Sequence, residues 1–344
     1  MIPPAFAPFK SKRDQRYAID IVKTVAWLAG RTDYFSDQST SEFFSEHSAS
    51  TCEAQSADVF RQLATAFNYQ GISDAVARSY MQEHGVPVWD DLASDVKAAD
   101  CPLLHSFWHF HGCGYRKLAS SCSQPDRIDR CPLPRHEFRN GNLNQLAYSL
   151  YLFIRDVADG DIVGWIDTRL AEANAGLREG RLSRMSHALI TPLLGLHGAS
   201  HKILNMALSD LLLSGRRRNR LWGEVGSALI AIDSLVHNFL SRTGILKRAG
   251  SEHPYGPQCY GPKGCAAVLF NLSESIDARQ FNGRFPKTFP RYIQHAIWTY
   301  CSGEGANMCN GNRINDTVKC QNRDCRLFET CDRKKLGRQP RKAQ

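Results

Sequence analysis

The sequence predicts an all-α fold with long loops, on three observations. Apolar residues recur at helical spacing in several stretches. Alternating apolar and polar runs, which mark strands, are few. The segments between the periodic stretches are crowded with Gly, Pro, Ser and Cys, which break regular structure. The 344 residues are 42% hydrophobic, enough for two domains, or for one large domain with an extension, and too much for wholesale disorder.

Taken in order, residues 1–100 read as a helical N-terminal extension, with the amphipathic patterns "YAIDIVKTVAWLAG" and "SADVFRQLATAF". Ser56 is the candidate N-cap of the second. The Ser-rich stretch 36–56 reads as a loop. Residues 101–142 form a Cys/His-rich loop region with little periodicity. A helical core follows over 143–300. Its first helix lies in "NGNLNQLAYSLYLFIRD", 140–156, and its last is expected at about 288–301, "TFPRYIQHAIWTYC". Between them, 186–246 is apolar at helical period, broken by Gly and by a basic run, and 253–265 is too rich in Pro and Gly for a regular helix. A cysteine-cluster loop spans 301–332. A basic tail, 333–344, carries six Lys or Arg and reads as mobile. There is no internal repeat.

Lys and Arg number 43 against 34 Asp and Glu, a formal charge of +9, which suits a polyanionic partner. No apolar run nears the ~18 residues of a membrane span. The opening "MIPPAFAPFKSKRDQR" lacks the apolar stretch of a secretory signal. The expected compartment is the cytoplasm, or the nucleoid if the source is bacterial. Twelve cysteines in such a chain point to metal rather than disulfides.

Two segments carry chemistry. In "LHGASHKILNMAL", 196–208, a turn at Gly198 separates two apolar helical stretches. The second opens near Ser200, and a helix N-terminus favours an anion such as a phosphate. Lys202, in that first turn, works against the helix dipole, and such local conflicts mark functional positions. Downstream, "AIDSLVHNFLSRTGIL", 231–246, sets Asp233 among apolar neighbours. A carboxylate there is a helix N-cap, is paired, or is functional.

Together these segments resemble the helix-hairpin-helix (HhH-GPD) superfamily of DNA glycosylases, in its endonuclease III-like branch. Leu196, Gly198 and Lys202 fall in register with the hairpin pattern L-P-G-V-G-x-K-T-A. "IDSLVHNFLSRTG" matches the family's V-D-T-H-V-x-R-type segment, which puts the catalytic aspartate at Asp233 and the following basic residue at Arg242. The resemblance covers about 140–331. It departs from the family at His197, where Pro is usual, at Ser200, where a second Gly is usual, and in a longer hairpin-to-aspartate interval.

The resemblance implies a helix-hairpin-helix glycosylase fold that grips double-stranded DNA; a monomer is expected. It would flip a damaged or modified base out of the stack and cleave its N-glycosidic bond. Asp233 would support the developing charge at the sugar. Lys202 would attack C1′ and add lyase activity, or it is a solvated lysine on a phosphate. Gly198, Ser200 and His201 would hold phosphates through the backbone. The base could be oxidised, deaminated or bulky and modified, as in phage DNA. Two rivals stand beside this reading: a non-catalytic helix-hairpin-helix clamp, and a zinc-stabilised interaction protein.

"RRRNR", 216–220, reads as a phosphate contact through Arg216, Arg217, Arg218 and Arg220, or as a solvated turn. Cys309, Cys320, Cys325 and Cys331 are spaced C-x10-C-x4-C-x5-C. The branch's C-x6-C-x2-C-x5-C implies a [4Fe–4S] cluster here, with Zn²⁺ the alternative and Cys301 a substitute ligand. Arg313, Lys319 and Arg323 in that loop would suit DNA phosphates. Upstream, Cys101, Cys113, Cys122 and Cys131, interspersed with His105, His109 and His111, show no C-x2-C pair. They read as buried thiols and surface histidines, against a second metal site. Cys259 and Cys265 receive no role. His237 and Asn238 read as buried hydrogen-bonding residues rather than pocket residues. Phe107, Trp108, Phe110 and Tyr115 read as core rather than as a stacking platform. Asn142, Asn144 and Gln145 are candidates to reach the pocket.

Overall fold

The computed structural model describes residues 9–29, 51–136 and 141–337. Among them the regular structure is helical, and the only β feature is an isolated bridge between Arg116 and Ser121. The expected all-α class holds. The helices are α1 (Lys12–Ala29), α2 (Cys52–Phe67), α3 (Asp74–His84), α4 (Trp89–Ala98), the single turn α5 (Phe107–Phe110), α6 (Gly141–Asp156) and α7 (Ile162–Asn174). There follow α8 (Arg181–Leu193), α9 (His201–Ser214), α10 (Arg220–Ala228), α11 (Ser234–Arg242), the short α12 (Ile245–Arg248), α13 (Cys265–Glu274) and α14 (Pro290–Cys301). No described helix is long and apolar enough to cross a membrane.

The chain forms two units, and neither is continuous in sequence. The terminal unit draws on Met1–Thr40, Leu177–Ser186 and Gly223–Gln344. The middle unit draws on Ser41–Gly176 and His187–Trp222. The 1–100 extension is therefore not a separate part: α1 belongs with the C-terminal helices, and α2 to α4 belong with α6, α7 and α9.

In the terminal unit, α1 buries Ala18, Ile21, Val22, Val25 and Ala26, a stripe at i, i+3, i+4, i+7 and i+8. That stripe packs on α14. Tyr292 Oη donates to the Ala26 carbonyl at 3.1 Å, and Tyr17 Oη to the Thr243 carbonyl at 2.8 Å. The last described residues pack here too. Lys334 N donates to the Arg242 carbonyl at 2.9 Å, and Leu336 N to that of Asp316 at 2.7 Å. Residues 333–337 are therefore packed rather than part of a mobile tail, and 338–344 lie outside the described residues.

In the middle unit, α2 buries Ser56, Val59, Phe60, Leu63, Ala64 and Phe67 and packs on α6, α7 and α9. Its N-cap is Thr51, whose hydroxyl accepts from Ala54 N at 3.3 Å. Ser56 does not cap the helix. It lies inside, donates to the Gly160 carbonyl at 2.7 Å and accepts from Ile162 N at 3.2 Å. The expected loop over 36–56 thus ends by Thr51, and its part up to residue 50 lies outside the described residues.

Candidate metal centres and nucleic-acid interface

The hairpin joins α8 to α9 through Leu194–Ser200. Ala199 N bonds back to the Leu196 carbonyl at 3.1 Å, and Gly198 takes φ +76°. An L side chain is strained at that φ, so the turn needs its glycine. Ser200 caps α9, its hydroxyl accepting from Ile203 N at 3.5 Å. His201 and Lys202, both half-buried, form the first turn. Burial, with His187 adding repulsion, pulls the His201 pKa below its usual value. The turn is held from several sides. Gln70 Nε2 donates to the Gly198 carbonyl at 2.9 Å, and His197 N donates to Ser149 Oγ at 3.0 Å.

The arginine run sits between α9 and α10. Arg218 pairs with Asp167 at 3.5 Å, while Asn219 Nδ2 and Trp222 Nε1 each donate to the other carboxylate oxygen at 2.7 Å. Arg216 donates to the Leu213 carbonyl at 3.3 Å. Arg217 and Arg220 are exposed. The run is therefore held in part by the protein rather than uniformly solvated.

Asp233 belongs to the terminal unit and Lys202 to the middle unit. Asp233 caps α11, its Oδ1 accepting from Val236 N at 2.8 Å. The buried segment before it is pinned by Tyr260 Oη, which accepts from Ile232 N at 2.8 Å and donates to the Ile232 carbonyl at 3.3 Å. Asp233 also lies close enough to raise the pKa of Tyr255, which burial and this charge push up to about 12.

One turn along α11 lies a site that sequence reasoning missed. The ligating atoms of His237, His253, Cys259 and Cys265 all lie within 4.8 Å of one another, and the four could hold a metal ion. His237 Nδ1 is 3.3 Å from Cys265 Sγ and 3.5 Å from Cys259 Sγ, and His253 Nε2 is 3.4 Å from Cys265 Sγ. His253 Nδ1 is 2.6 Å from the Ser251 carbonyl. Donation there fixes the tautomer that leaves Nε2 to ligate, as in metal sites with an outer hydrogen-bonded shell. Hydrogen bonding from Cys265 and from both histidines lowers the Cys259 pKa, while burial pushes Cys265 up. Gly264 makes the close approach: a Cβ there would run into the Gln258 and Cys259 carbonyls. A Cys2His2 set with four protein ligands is the pattern of a closed, structural site. His237 is buried and hydrogen-bonded as expected, and the fold brings it together with Cys259 and Cys265, to which the sequence assigns no role, and with His253 as a set that could hold a metal. The available signal was the H-x5-C-x5-C spacing from His253.

The four C-terminal cysteines do meet. Cys309, Cys320, Cys325 and Cys331 line one cavity with Phe239, Tyr300 and Leu327 in its wall, about 330 Å³ including open solvent at its mouth. Donors surround the sulfurs. Arg242 Nη1 is 3.2 Å from Cys309 Sγ, Arg333 N is 3.3 Å from Cys331 Sγ, and the Tyr300 hydroxyl is 3.1 Å from Cys325 Sγ. Arg242 is buried and also pairs with Asp316, so it serves this cavity and does not reach solvent. Cys301 hydrogen-bonds Cys309 and does not line the cavity. Arg313, Lys319 and Arg323 are exposed on the loop, with Arg313 paired to Asp324 at 2.8 Å.

Other expectations change. Asn144 Nδ2 donates to the Leu133 and His136 carbonyls, and Gln145 Nε2 to the Cys113 carbonyl at 2.8 Å. Both fasten the Cys-rich loop rather than reach a pocket, and the Asn142 side chain lies outside what is described. Phe107, Phe110 and Tyr115 are core, whereas Trp108 is 62% exposed. Comparisons with family models, curated proteins and solved structures give no match.

Proposed function

We propose that the chain is a DNA glycosylase that binds double-stranded DNA and excises a damaged or modified base. The observation that carries this reading is the hairpin. Gly198 at φ +76° turns the chain into the N-terminus of α9 with Lys202 in its first turn, an arrangement suited to a backbone phosphate. The excess of basic residues supports a nucleic-acid partner.

In this reading the carboxylate of Asp233 stabilises positive charge developing at C1′ as the glycosidic bond breaks. The departing base takes the bonding electron pair and a proton. Lys202 Nζ, as the neutral amine, forms the new bond to C1′ and loses a proton; the C1′–O4′ bond then breaks, O4′ takes the electron pair and a proton, and the nitrogen lone pair closes the Schiff base. Without that attack, water adds at C1′ and the enzyme is monofunctional. Cys309, Cys320, Cys325 and Cys331 would hold a [4Fe–4S] cluster, since four thiols lining one cavity with N–H and O–H donors on the sulfurs suit such a group. Bound there, it would brace the loop that carries Arg313, Lys319 and Arg323. Zn²⁺ suits His237, His253, Cys259 and Cys265.

A second reading, the non-catalytic clamp, draws on the Asp233 cap, because capping alone accounts for an aspartate there. Asp233→Asn separates the two. Base release is measured on duplexes carrying oxidised, deaminated and bulky modified bases, with duplex affinity alongside. The glycosylase reading expects release by the wild type, loss of at least 100-fold in the variant and nearly unchanged affinity. Equal release by both proteins would remove Asp233 from the chemistry, and affinity without release on any duplex would favour the clamp.

A further inference from the structure

We propose that Cys101, Cys113, Cys122 and Cys131 ligate a second metal centre in the middle unit, a four-iron cluster rather than a zinc ion. All four side chains line a single cavity of about 300 Å³, open solvent included, whose apolar wall contains Leu103, Leu104, Phe110 and Leu133. Thiols that merely filled a core would point to different neighbours. These four, spread over 31 residues of loop, converge. His105, His109 and His111 are absent from the lining, so the donor set is all sulfur, which selects Fe–S clusters or zinc.

The loop also supplies donors. Gln124 N donates to Cys122 Sγ at 3.3 Å, two residues on. The backbone N–H groups of Tyr115 and Leu133 stand in the same i+2 relation and hydrogen-bond Cys113 and Cys131. Cys325 and Cys331 use Leu327 and Arg333 in the same way. Polar hydrogens aimed at sulfur stabilise ligating thiolates and tune a cluster.

Spacing bears on the choice of metal. Among the described residues, the set whose ligating atoms all fall within 4.8 Å is His237, His253, Cys259 and Cys265, and neither four-cysteine set is so tight. One zinc ion draws four sulfurs close, with Zn–S about 2.3 Å. A cubane, with one thiolate on each corner iron, holds its sulfurs farther apart. Each thiol loses its proton on ligation.

The test is elemental analysis of the full chain, purified anaerobically and reconstituted with ferrous iron and sulfide. Iron, acid-labile sulfide and zinc are counted per chain in the wild type, in Cys113→Ser/Cys131→Ser and in Cys325→Ser/Cys331→Ser. With both four-cysteine sets loaded, the wild type carries about eight iron and about eight sulfide, four per cubane, and each variant loses about half. Iron that is lost in the upstream variant and kept in the C-terminal one upholds this proposal and removes only the C-terminal cluster. An upstream variant that keeps all the iron overturns it. If that variant does not fold, the C-terminal variant decides: about four iron and four sulfide retained without its own cluster uphold the proposal, and no iron retained overturns it.

Discussion

Asp233 has two jobs that different substitutions separate. Its Oδ1 caps α11, and its charge is the one proposed to act at the sugar. Asn caps helices as well as Asp, and Ala does not. Asp233→Ala should therefore lower stability by about 1 kcal/mol in denaturant titrations, while Asp233→Asn keeps stability and loses chemistry. A second residue sets a pH dependence. His295, buried in α14 with Arg291 adding repulsion, has its pKa pulled down to about 3. The unfolded chain protonates this histidine near its ordinary value and the native state does not. Stability is therefore full above about pH 6.5 and falls by about 1.4 kcal/mol per pH unit as pH drops toward 3. Replacing it, as His295→Gln, should flatten denaturation midpoints measured between pH 7 and pH 5. Unchanged steepness would show that other groups govern that window.

At the scale of elements, α11 is gripped at three points: Asp233 at its start, His237 in the middle and Arg242 at its end, against the C-terminal cysteine cavity. A structural zinc is worth roughly 10–16 kcal/mol of apparent binding energy in small domains. Removing it by chelation, or by His253→Ala, should lower the melting temperature and release about one zinc per chain. Since ligation needs neutral imidazoles and thiolates, acid should release the same zinc. A melting curve indifferent to chelator and to His253→Ala would show that no metal organises these residues. Helices were legible where one apolar stripe runs unbroken, as in α1 and α2. Their starts were less so: Thr51 caps α2 one turn before Ser56 because both residues are competent caps and only packing chooses. The candidate metal sites were legible in inverse order of their span. The C-terminal cysteines lie within 23 residues, whereas the His237 set comes from α11, a loop and the start of α13. The upstream cysteines are separated by eleven, eight and eight residues, and no periodicity announces that such distant thiols share a cavity.

For the whole molecule, the two units interleave along the chain, which no local pattern could reveal. Chain order suggested an extension followed by a core, but α1 finds its partner in α14, more than 260 residues later. The charge acts at this scale too. If DNA is the partner, log affinity falls linearly with log salt, and each phosphate contact removed lowers the slope by about 0.9. Arg216→Ala/Arg217→Ala should flatten that slope by up to about 2. Arg218, paired with Asp167, should change the slope by at most about 0.9 when replaced by Ala. Equal slopes for wild type and variants would move the phosphate contacts elsewhere.

The most direct measurement is borohydride trapping on abasic-site and damaged-base duplexes, with Lys202→Ala alongside and alkali treatment of parallel samples. The account predicts base release by the wild type. It appears either as a covalent protein–DNA complex that disappears with Lys202→Ala, or as alkali-labile sites without a complex if water is the nucleophile. Duplexes that are bound and returned intact, with neither a complex nor alkali-labile sites on any base tested, would contradict it.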